Sequence, residues 1–425
     1  MLKKMFFGLS NPRIEYELLP VSLPEPEKLT ASKTVTLFHQ SNGNQNAPVL
    51  FKAGDKVKTG QKISLFTDNP AYVIASATGV ISSISPYAGD FGKTFSAIMI
   101  DRDENEVLDD QFEKQTPNLA KAIDYLAVAP GNPPLQALSA ADKEIHTIVI
   151  VGIDRDLLIG TNQYIVKSSL DDIKSGISVL KEITGIERII LISAGESIQG
   201  FGHIGAEVKN VDTEYPSALP HMIMKNVLGE IVPAGKTSED LGVCFFTAEA
   251  VASIGKAFTS GQIPVNKILT LITKDGSQRL IETTIGTPIR DLFETYAVSV
   301  EEEDRIIIGG PMTGSAVYSL DYPVLPDTDA IAILDRSKAA YASDYPCINC
   351  GECVRACPAQ MQVHMMVRFL EASQYEQAAD NYDLYSCIEC GLCSFVCVSR
   401  IPIFQYIKLA KYELDRAKTA EEVNA

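Results

Sequence analysis

Eight of the nine cysteines lie near the C-terminal end of the 425-residue chain, in two copies of one spacing. Each copy has the pattern Cys-x2-Cys-x2-Cys-x3-Cys, and Cys387 follows Cys347 by 40 residues. This spacing is typical of [4Fe-4S] clusters, because three cysteines of a tight loop bind three iron atoms while the fourth ligand comes from elsewhere. In two-cluster proteins the fourth cysteine of each copy binds the other cluster. We therefore predict two ligand sets: Cys347, Cys350, Cys353 and Cys397 for one cluster, and Cys387, Cys390, Cys393 and Cys357 for the other.

Zinc also binds thiolates, but a zinc site uses two separated Cys-x2-Cys pairs rather than a triplet followed by Cys357-Pro358. A disulfide framework fits less well still, because the rest of this long chain is poor in cysteine and carries no visible secretory signal. Reduced thiols indicate the cytoplasm or an equivalent reducing compartment. The second copy has Val398 in place of Pro358, which predicts a cluster with an altered environment and potential.

The formal net charge of −17 disfavours contact with nucleic acid or with a broad anionic lipid surface. No stretch of the sequence reaches the roughly 18 to 20 apolar residues that a membrane-spanning helix needs. We therefore expect proteins or small molecules as partners, and membrane contact through a partner.

The elements that position the cysteines begin with a Pro-rich segment at 1–30, which we expect to be an extended arm lying along another domain. Residues 31–117 contain short β-like runs separated by glycine turns at Gly54, Gly60 and Gly79, and they resemble the barrel-sandwich fold of biotinyl and lipoyl carriers. That fold offers a modifiable lysine at a hairpin tip, whereas the corresponding segment 66–70 has none. We interpret the module as an unmodified scaffold.

Strands and helices alternate over residues 118–262. A strand at Thr147–Gly152, a helix at Ser169–Thr184 and a strand at Glu187–Ser193 predict a Rossmann-like parallel sheet. The next segment, 263–330, has the order strand, turn, strand, helix, which predicts a β-grasp module that continues into a strand and the loop Gly309–Gly314.

The cluster domain is predicted at 337–416 as a helical, ferredoxin-like dicluster domain. Its helices are expected at Val363–Glu371, Tyr375–Tyr382 and Ile403–Arg416. The acidic tail at 417–425 is expected to be disordered. The predicted fold class is therefore multidomain α/β plus α+β, with the barrel-sandwich module at one end and the dicluster domain at the other.

This order of modules resembles the C subunit of the Rnf electron-transport complex, a family related to the A subunit of the sodium-translocating NADH:quinone reductase. The resemblance covers nearly the whole chain, and the cluster domain favours the Rnf subunit because the sodium-pump subunit lacks these clusters. The motifs of this chain that carry the resemblance are Ala53-Gly54-Asp55-Lys56-Val57, Ile285-Gly286-Thr287-Pro288, Gly309-Gly310-Pro311-Met312-Thr313-Gly314 and Cys387-Ile388-Glu389-Cys390-Gly391. The resemblance implies a peripheral subunit on the cytoplasmic face of the membrane. Its partners would be the subunits of a membrane-bound electron-transfer complex and a soluble electron donor or acceptor.

Rnf-type C subunits look like flavin- and NADH-binding proteins, with a Gly-rich loop just before the strand that corresponds to Thr147–Gly152. This chain has Leu126-Ala127-Val128-Ala129-Pro130-Gly131-Asn132-Pro133-Pro134 there. One glycine and three prolines leave few backbone amides for a phosphate, so the sequence argues against bound FMN or NADH. Asp154 and Asp156 are the candidates left for cofactor binding, and we interpret them as solvated loop charges.

Three further features are predicted to be structural. Cys244 lies in an apolar run and is expected in a core. His221 follows a Pro-rich segment and is expected in a loop, whereas Gly309, Gly310 and Gly314 are expected to form a turn that needs positive φ angles.

The predicted function is an iron-sulfur electron-transfer subunit of an Rnf/Nqr-type oxidoreductase, with no catalytic residue of its own. Two alternatives stay open. One is an NADH-oxidising, flavin-binding subunit of the same type of complex, in which the flavin would split a hydride pair into single electrons. The other is a cobalamin reductase-like protein.

Overall fold

The computed structural model describes residues 13–19, 25–40, 48–67, 69–89, 93–113, 116–194, 204–338, 341–343 and 345–424. The strands are β1 (Glu27–Lys28), β2 (Thr34–Gln40), β3 (Lys56–Val57), β4 (Lys62–Ile63), β5 (Val73–Ile74), β6 (Gly79–Ala88), β7 (Thr94–Arg102), β8 (Thr147–Val151), β9 (Arg188–Ala194), β10 (Glu207–Val211), β11 (Val243–Thr247), β12 (Asn266–Ile272), β13 (Gln278–Thr284), β14 (Arg305–Ile308), β15 (Ser315–Val317) and β16 (Ala330–Leu334).

The α-helices are α1 (Leu119–Leu126), α2 (Thr161–Ser168), α3 (Leu170–Thr184), α4 (Pro220–Ile223), α5 (Ala248–Ser260), α6 (Ile289–Thr295), α7 (Glu352–Arg355), α8 (Val363–Glu371), α9 (Tyr375–Tyr382), α10 (Leu392–Phe395) and α11 (Ile403–Asn424). Short 3₁₀ turns occupy Leu135–Ser139, Glu239–Leu241 and Leu384–Ser386, and a π turn occupies Met224–Leu228. Within the described part of the chain, no helix is long and apolar enough to cross a membrane.

The N-terminal module is a barrel sandwich. An antiparallel sheet with the order β2-β7-β6-β3 encloses an apolar core together with the hairpin β4-β5. Gly54 and Gly60 have φ angles of 96° and 86°, which confirms the two predicted turns. The turn predicted at Gly79 is wrong: Gly79 begins β6, and a side chain there would collide with the carbonyl of Asp101 on β7. Glycine is needed at that position for close strand approach.

The second sheet has the order β10-β9-β8-β11 and all its strands are parallel, as the strand, helix, strand pattern predicted. Alternate side chains of the strands enter two different cores. On one face Ile148 and Phe246 pack with the helices α3 and α5, which cross closely because Gly176 and Gly255 have no side chains. On the other face Val149 packs in a core that contains residues of the cysteine domain. Parallel sheets are usually covered on both sides, and here the cysteine domain supplies part of one cover.

A six-stranded mixed sheet follows, with the order β1-β13-β12-β16-β14-β15. It is larger than the predicted hairpin because β16, which the sequence did not indicate, pairs parallel with β12 and antiparallel with β14. The strand β1 comes from the N-terminal arm and pairs in parallel with β13, so the described part of the arm lies along another domain as expected.

The C-terminal helices enclose a core of their own, formed by residues such as Met366, Leu370 and Ile407. The helices α8 and α9 have the bounds that the sequence predicted. The prediction of a disordered tail from Ala417 is wrong for 417–424, because α11 continues to Asn424. Residue 425 lies outside the described residues.

Candidate metal centre

The two cysteine copies have the same backbone conformation as well as the same spacing. Left-handed φ angles recur 40 residues apart, at Asn349 and Glu389, at Gly351 and Gly391, and at Gln360 and Arg400. Each loop then enters a four-residue helix, α7 or α10. In this conformation two backbone amides of the second copy donate hydrogen bonds to cysteine sulfurs. Glu389 N lies 3.4 Å from Cys387 Sγ, and Ile401 N lies 3.4 Å from Cys397 Sγ. Such amides stabilise the negative charge of ligand sulfurs.

The structure groups the eight predicted ligands into two sets of four. One small cavity is lined by Cys347, Cys350, Cys353 and Cys397, which we name the outer set. A second cavity is lined by Cys357, Cys387, Cys390 and Cys393, which we name the inner set. The fourth cysteine of each copy thus lies with the triplet of the other copy. The remaining lining of both cavities is mostly apolar, with Val367 and Ile403 at the outer set and Met366 and Phe404 at the inner set.

Burial raises the pKa of the more buried thiols of each set. Burial raises the pKa of Cys353 to about 11, and the other three outer cysteines raise it further in the same direction. Burial raises the pKa of Cys390 to about 12, and Cys387 and Cys357 also raise it. Four thiolates in such a pocket require a cationic group to compensate their charge, and an iron-sulfur core supplies it. The residues present therefore fit two clusters.

A single ion would need a different arrangement. Among the described residues, no three His, Cys, Asp or Glu side chains converge closely enough to hold one metal ion. A four-iron cluster distributes its four protein ligands over different iron atoms and does not need such convergence.

The inner set is attached to the parallel sheet. Tyr215 Oη donates a hydrogen bond of 2.6 Å to the carbonyl of Cys390, and both residues share a core with Leu392. A side chain at Gly391 would lie 2.5 Å from the carbonyl oxygen of Met312, so the second cysteine loop needs glycine there. The first loop has a different environment, since Cys350 is exposed. The two sets therefore differ in burial although their sequences repeat.

A lysine also contacts the inner set. Lys411 Nζ on α11 donates to the carbonyl of Cys387 and to Glu389 Oε1, each at 2.8 Å. Burial lowers the pKa of His221, and the nearby Lys411 ammonium lowers it further. The loop predicted around His221 is wrong, because the residue lies in the first turn of α4.

Asp156 is buried rather than solvated, with 3% of its surface exposed, so the interpretation as a surface charge is wrong. Its carboxylate accepts hydrogen bonds from the amides of Met312 and Thr313 and from the Thr313 hydroxyl, at 2.6 to 3.2 Å. Asp156 thus fixes the Gly309–Gly314 loop whose Met312 faces Gly391. The signal for this role in the sequence is the loop itself, because its free amides need an acceptor.

Of the three glycines in this loop, Gly309 has the predicted positive φ, 95°. The predicted need for a positive φ angle is wrong for Gly310 and Gly314. A side chain at Gly310 would collide with Asp156, and one at Gly314 would lie 2.5 Å from the carbonyl oxygen of Gly310. Both are needed for close packing.

Asp154 is also buried, with 1% of its surface exposed. It accepts hydrogen bonds from the backbone amides of Asn162 and Gln163 and from both side-chain amides, so it satisfies the first turn of α2. Cys244 is fully buried, which confirms its predicted core position.

A buried ion cluster was not foreseen from the sequence. Lys267 Nζ forms ion pairs with Glu249 and with Asp329, and Glu249 N donates to Asn162 Oδ1 at 3.4 Å. Glu249 lies in the first turn of α5, after β11, and Asn162 lies in the first turn of α2, after β8, so the cluster lies where the strand order of the parallel sheet reverses. Open α/β sheets bind ligands at that place.

The segment found in place of the Gly-rich loop, 126–134, also forms contacts with other parts of the protein. Gly131 N donates to the carbonyl of Pro326 at 2.8 Å, and a side chain at Gly131 would collide with Ala250 N. The Gly131 amide is already hydrogen-bonded, and carboxylates lie just after the ends of β8 and β11. These residues therefore do not fit an anionic phosphate.

Two parts of the chain match protein-family models. Residues 25–105 match the RnfC barrel sandwich hybrid domain, and residues 339–398 match the 4Fe-4S dicluster domain. Together with the two cavities of four cysteines each, these matches define an iron-sulfur protein that carries two [4Fe-4S] clusters. The chain is a relative of the Rnf complex C subunit, as its motifs predicted.

Curated relatives cover most of the chain. The C subunit of the ion-translocating oxidoreductase complex of Edwardsiella ictaluri is 27% identical, over 89% of this chain and 50% of the relative. The corresponding protein of Pasteurella multocida is 26% identical, over 88% of this chain and 48% of the relative. The C subunit of the proton-translocating ferredoxin:NAD(+) oxidoreductase complex of Clostridium ljungdahlii is 26% identical, over 92% of both chains. The chain spans about half the length of the first two relatives.

Among solved structures, the NAD+-reducing [NiFe]-hydrogenase in the H2-reduced state has a chain that matches 72% of this chain over 63% of its own length. The TM-score is 0.45 and the sequence identity is 11%.

Proposed function

We propose that this chain is the iron-sulfur electron-transfer subunit of a membrane-associated Rnf/Nqr-type respiratory oxidoreductase, and that single electrons pass through its two clusters. The observation that carries the proposal is the grouping of the eight cysteines. Each cavity joins three cysteines of one copy to the fourth cysteine of the other, as in proteins that hold two clusters close together for electron transfer. We assign the outer set and the inner set as the ligands of the two clusters.

The partners that we propose are the other subunits of a membrane-bound complex and a soluble electron donor or acceptor. The relatives' names support this assignment, since they describe C subunits of complexes that translocate ions or protons. We place the chain on the cytoplasmic face, attached to the membrane through partner subunits, because cluster thiolates require a reducing compartment.

The finer domain assignments belong to the same proposal. The parallel sheet, with its strand order 3-2-1-4 in chain order, supports a Rossmann-like domain at 118–262. The antiparallel pair β12-β13 followed by α6 supports a β-grasp module at 263–330. The other limits that we propose are 1–30, 31–117 and a cluster domain that begins at 337 and includes α11.

A flavin or NADH site of the chain's own is not part of the proposal. The amide of Gly131 is bonded to Pro326, and the place where the strand order reverses is filled by Lys267 and its two carboxylates. These contacts argue against the NADH-oxidising alternative. No contact in the described residues specifically favours a cobalamin reductase.

The test is anaerobic purification of the full chain, with iron, sulfide and flavin counted per chain and spectra recorded before and after NADH is added. We expect about eight iron atoms, since two cubanes supply that number, and no flavin. Bound flavin with bleaching of the cluster absorbance by NADH would support the dehydrogenase alternative. Reduction of a corrin by the purified chain would support the third candidate.

A further inference from the structure

The two cysteine copies allow an internal comparison of what covers each loop. In the second copy Cys390 is 7% exposed, Gly391 lies against Met312, and Ile388 packs against the core of the parallel sheet. In the first copy Cys350 is exposed, and the equivalent isoleucine, Ile348, is 67% exposed. Within the described part of the chain, the same loop is therefore covered by other residues at the inner set and exposed at the outer set.

Large apolar side chains gather around the open loop. Tyr341 and Tyr345 are 71% and 77% exposed, and they line one surface depression with Val398 and Arg400. Val398 also lines the outer cysteine cavity, as does Ile348. We name these five residues the outer-cluster face. Single exposed apolar residues are common, but a group of them beside a redox centre indicates an interaction site.

The charge of this region differs from that of the chain. The segments 341–356 and 395–400 contain two acidic residues, Asp344 and Glu352, and two basic residues, Arg355 and Arg400, whereas the chain carries a formal net charge of −17. A second copy of the chain would bring two strongly acidic molecules together. An anionic membrane would need several cations, whereas Arg355 is paired with Glu352 and the remaining cation is Arg400. A protein face that is apolar and low in charge fits this region best.

We propose that the outer-cluster face is the docking surface for a redox protein that carries a one-electron centre close to its own surface. One electron passes between the outer cluster and that centre; no bond forms or breaks, and no proton moves. This inference rests on the proposed function and names the surface through which electrons enter or leave the chain. The inner cluster, which is covered by the parallel sheet, is the second relay of the pair.

The test uses the holoprotein with Tyr345→Glu, and Tyr318→Glu as the matched control. Tyr318 is 79% exposed and lies outside the outer-cluster face, so both variants place one carboxylate at an equally exposed tyrosine. Each variant replaces the wild-type chain in its purified complex, and cluster oxidation and reduction are followed by stopped-flow absorbance. Methyl viologen serves as a small one-electron probe that needs no docking surface.

We expect Tyr345→Glu to slow electron exchange with the complex about tenfold or more, because a central interface residue commonly carries that much affinity. Tyr318→Glu and Tyr345→Phe should exchange electrons at the wild-type rate, and all variants should react normally with methyl viologen. Wild-type exchange in Tyr345→Glu and in Tyr341→Glu would overturn the proposal. Dimerisation of the wild-type chain that is lost in Tyr345→Glu would also overturn the proposal. Binding of the wild-type chain to phosphatidylglycerol vesicles that is lost in Tyr345→Glu would overturn it as well. An iron count far from eight in the wild-type chain would instead overturn the proposed function.

Discussion

The phenol of Tyr215 donates a hydrogen bond of 2.6 Å to the backbone carbonyl of Cys390. These residues are 175 positions apart, and the bond ties the second cysteine loop to the parallel sheet. Burial raises the pKa of Tyr215, so its hydroxyl stays protonated and continues to donate. The equivalent carbonyl, that of Cys350, accepts a hydrogen bond of 3.3 Å from Arg355 of its own loop, and Cys350 is exposed. The repeated motif therefore yields two clusters in different environments, and such differences set different reduction potentials.

Cysteine variants test the crossed ligand sets. We expect Cys350→Ala and Cys397→Ala to lose the same cluster, and Cys390→Ala and Cys357→Ala to lose the other, because each pair lines one cavity. Each variant should retain about four iron atoms. Iron counting and electron paramagnetic resonance of the reduced protein distinguish which cluster signal disappears.

Retention of eight iron atoms in Cys350→Ala would contradict the assignment. Loss of the same signal in Cys350→Ala and in Cys357→Ala would show that each copy binds its own cluster without crossing. Cys244→Ala is the control, since this buried cysteine lies outside both sets and its replacement should leave the iron content unchanged.

The ammonium group of Lys411 should raise the potential of the inner cluster, because a nearby positive charge stabilises the added electron. Lys411→Gln is expected to lower that potential by on the order of 50 mV, as a unit charge about 10 Å away contributes at an effective dielectric constant near 20. Glu389→Gln should shift the potential upward, since it removes the opposite charge that Lys411 contacts. Redox titration followed by electron paramagnetic resonance measures both shifts.

The outer cluster provides the internal control for this pair of variants. Its potential should change much less than that of the inner cluster in Lys411→Gln. Equal shifts at both clusters would mean that the variant alters the domain as a whole rather than the charge at Cys387.

Replacement of Asp156 should destabilise the protein through the Gly309–Gly314 loop. Asp156→Asn replaces the charged acceptor of three amides and one hydroxyl with a neutral side-chain amide, which should reduce the free energy of unfolding by about 1.5 to 3 kcal/mol. The measurement is the midpoint of urea unfolding under anaerobic conditions. Asp171→Asn is the control, because the Asp171 side chain is almost fully exposed and its replacement should have an effect within about 0.5 kcal/mol. Equal midpoints for Asp156→Asn and the wild type would refute this role.

Stability should depend on pH through Glu249. Burial raises the pKa of Glu249 from 4.5 to about 7, although Lys267 acts in the opposite direction. Because the pKa in the folded state lies above the unfolded value, the folded state binds the proton more tightly. The free energy of unfolding is therefore expected to fall as the pH rises from about 4.5 to about 7, and to level off above that range.

Glu249→Gln should flatten this part of the pH profile of urea unfolding. Lys267→Met should destabilise the protein by about 3 to 5 kcal/mol, since it leaves a buried carboxylate without its cation. The double variant Lys267→Met with Glu249→Gln should recover part of that loss. A wild-type pH slope in Glu249→Gln would assign the pH dependence to another group.

The features that were predictable from the amino-acid sequence are those that depend on local spacing. The cysteine pattern predicted two clusters, because three residues of one loop can reach a cluster only at that spacing. The bounds of α8 and α9 followed from helical periodicity, and the turns at Gly54 and Gly60 followed from residue type. The order of modules was recognisable because each module has a local pattern of its own.

Burial and long-range contacts, in contrast, depend on how the elements pack in three dimensions. Asp154 and Asp156 have the local sequence of a solvated loop, yet α2 and the Gly309–Gly314 loop supply the donors that bury them. Lys267, Glu249 and Asp329 meet across long separations in the chain, as do Tyr215 and Cys390. The sequence repeats its cysteine motif almost unchanged, so it could not indicate which cluster would be covered. That depends on packing against the parallel sheet, since burial is set by residues distant in sequence and not by a residue's own neighbours.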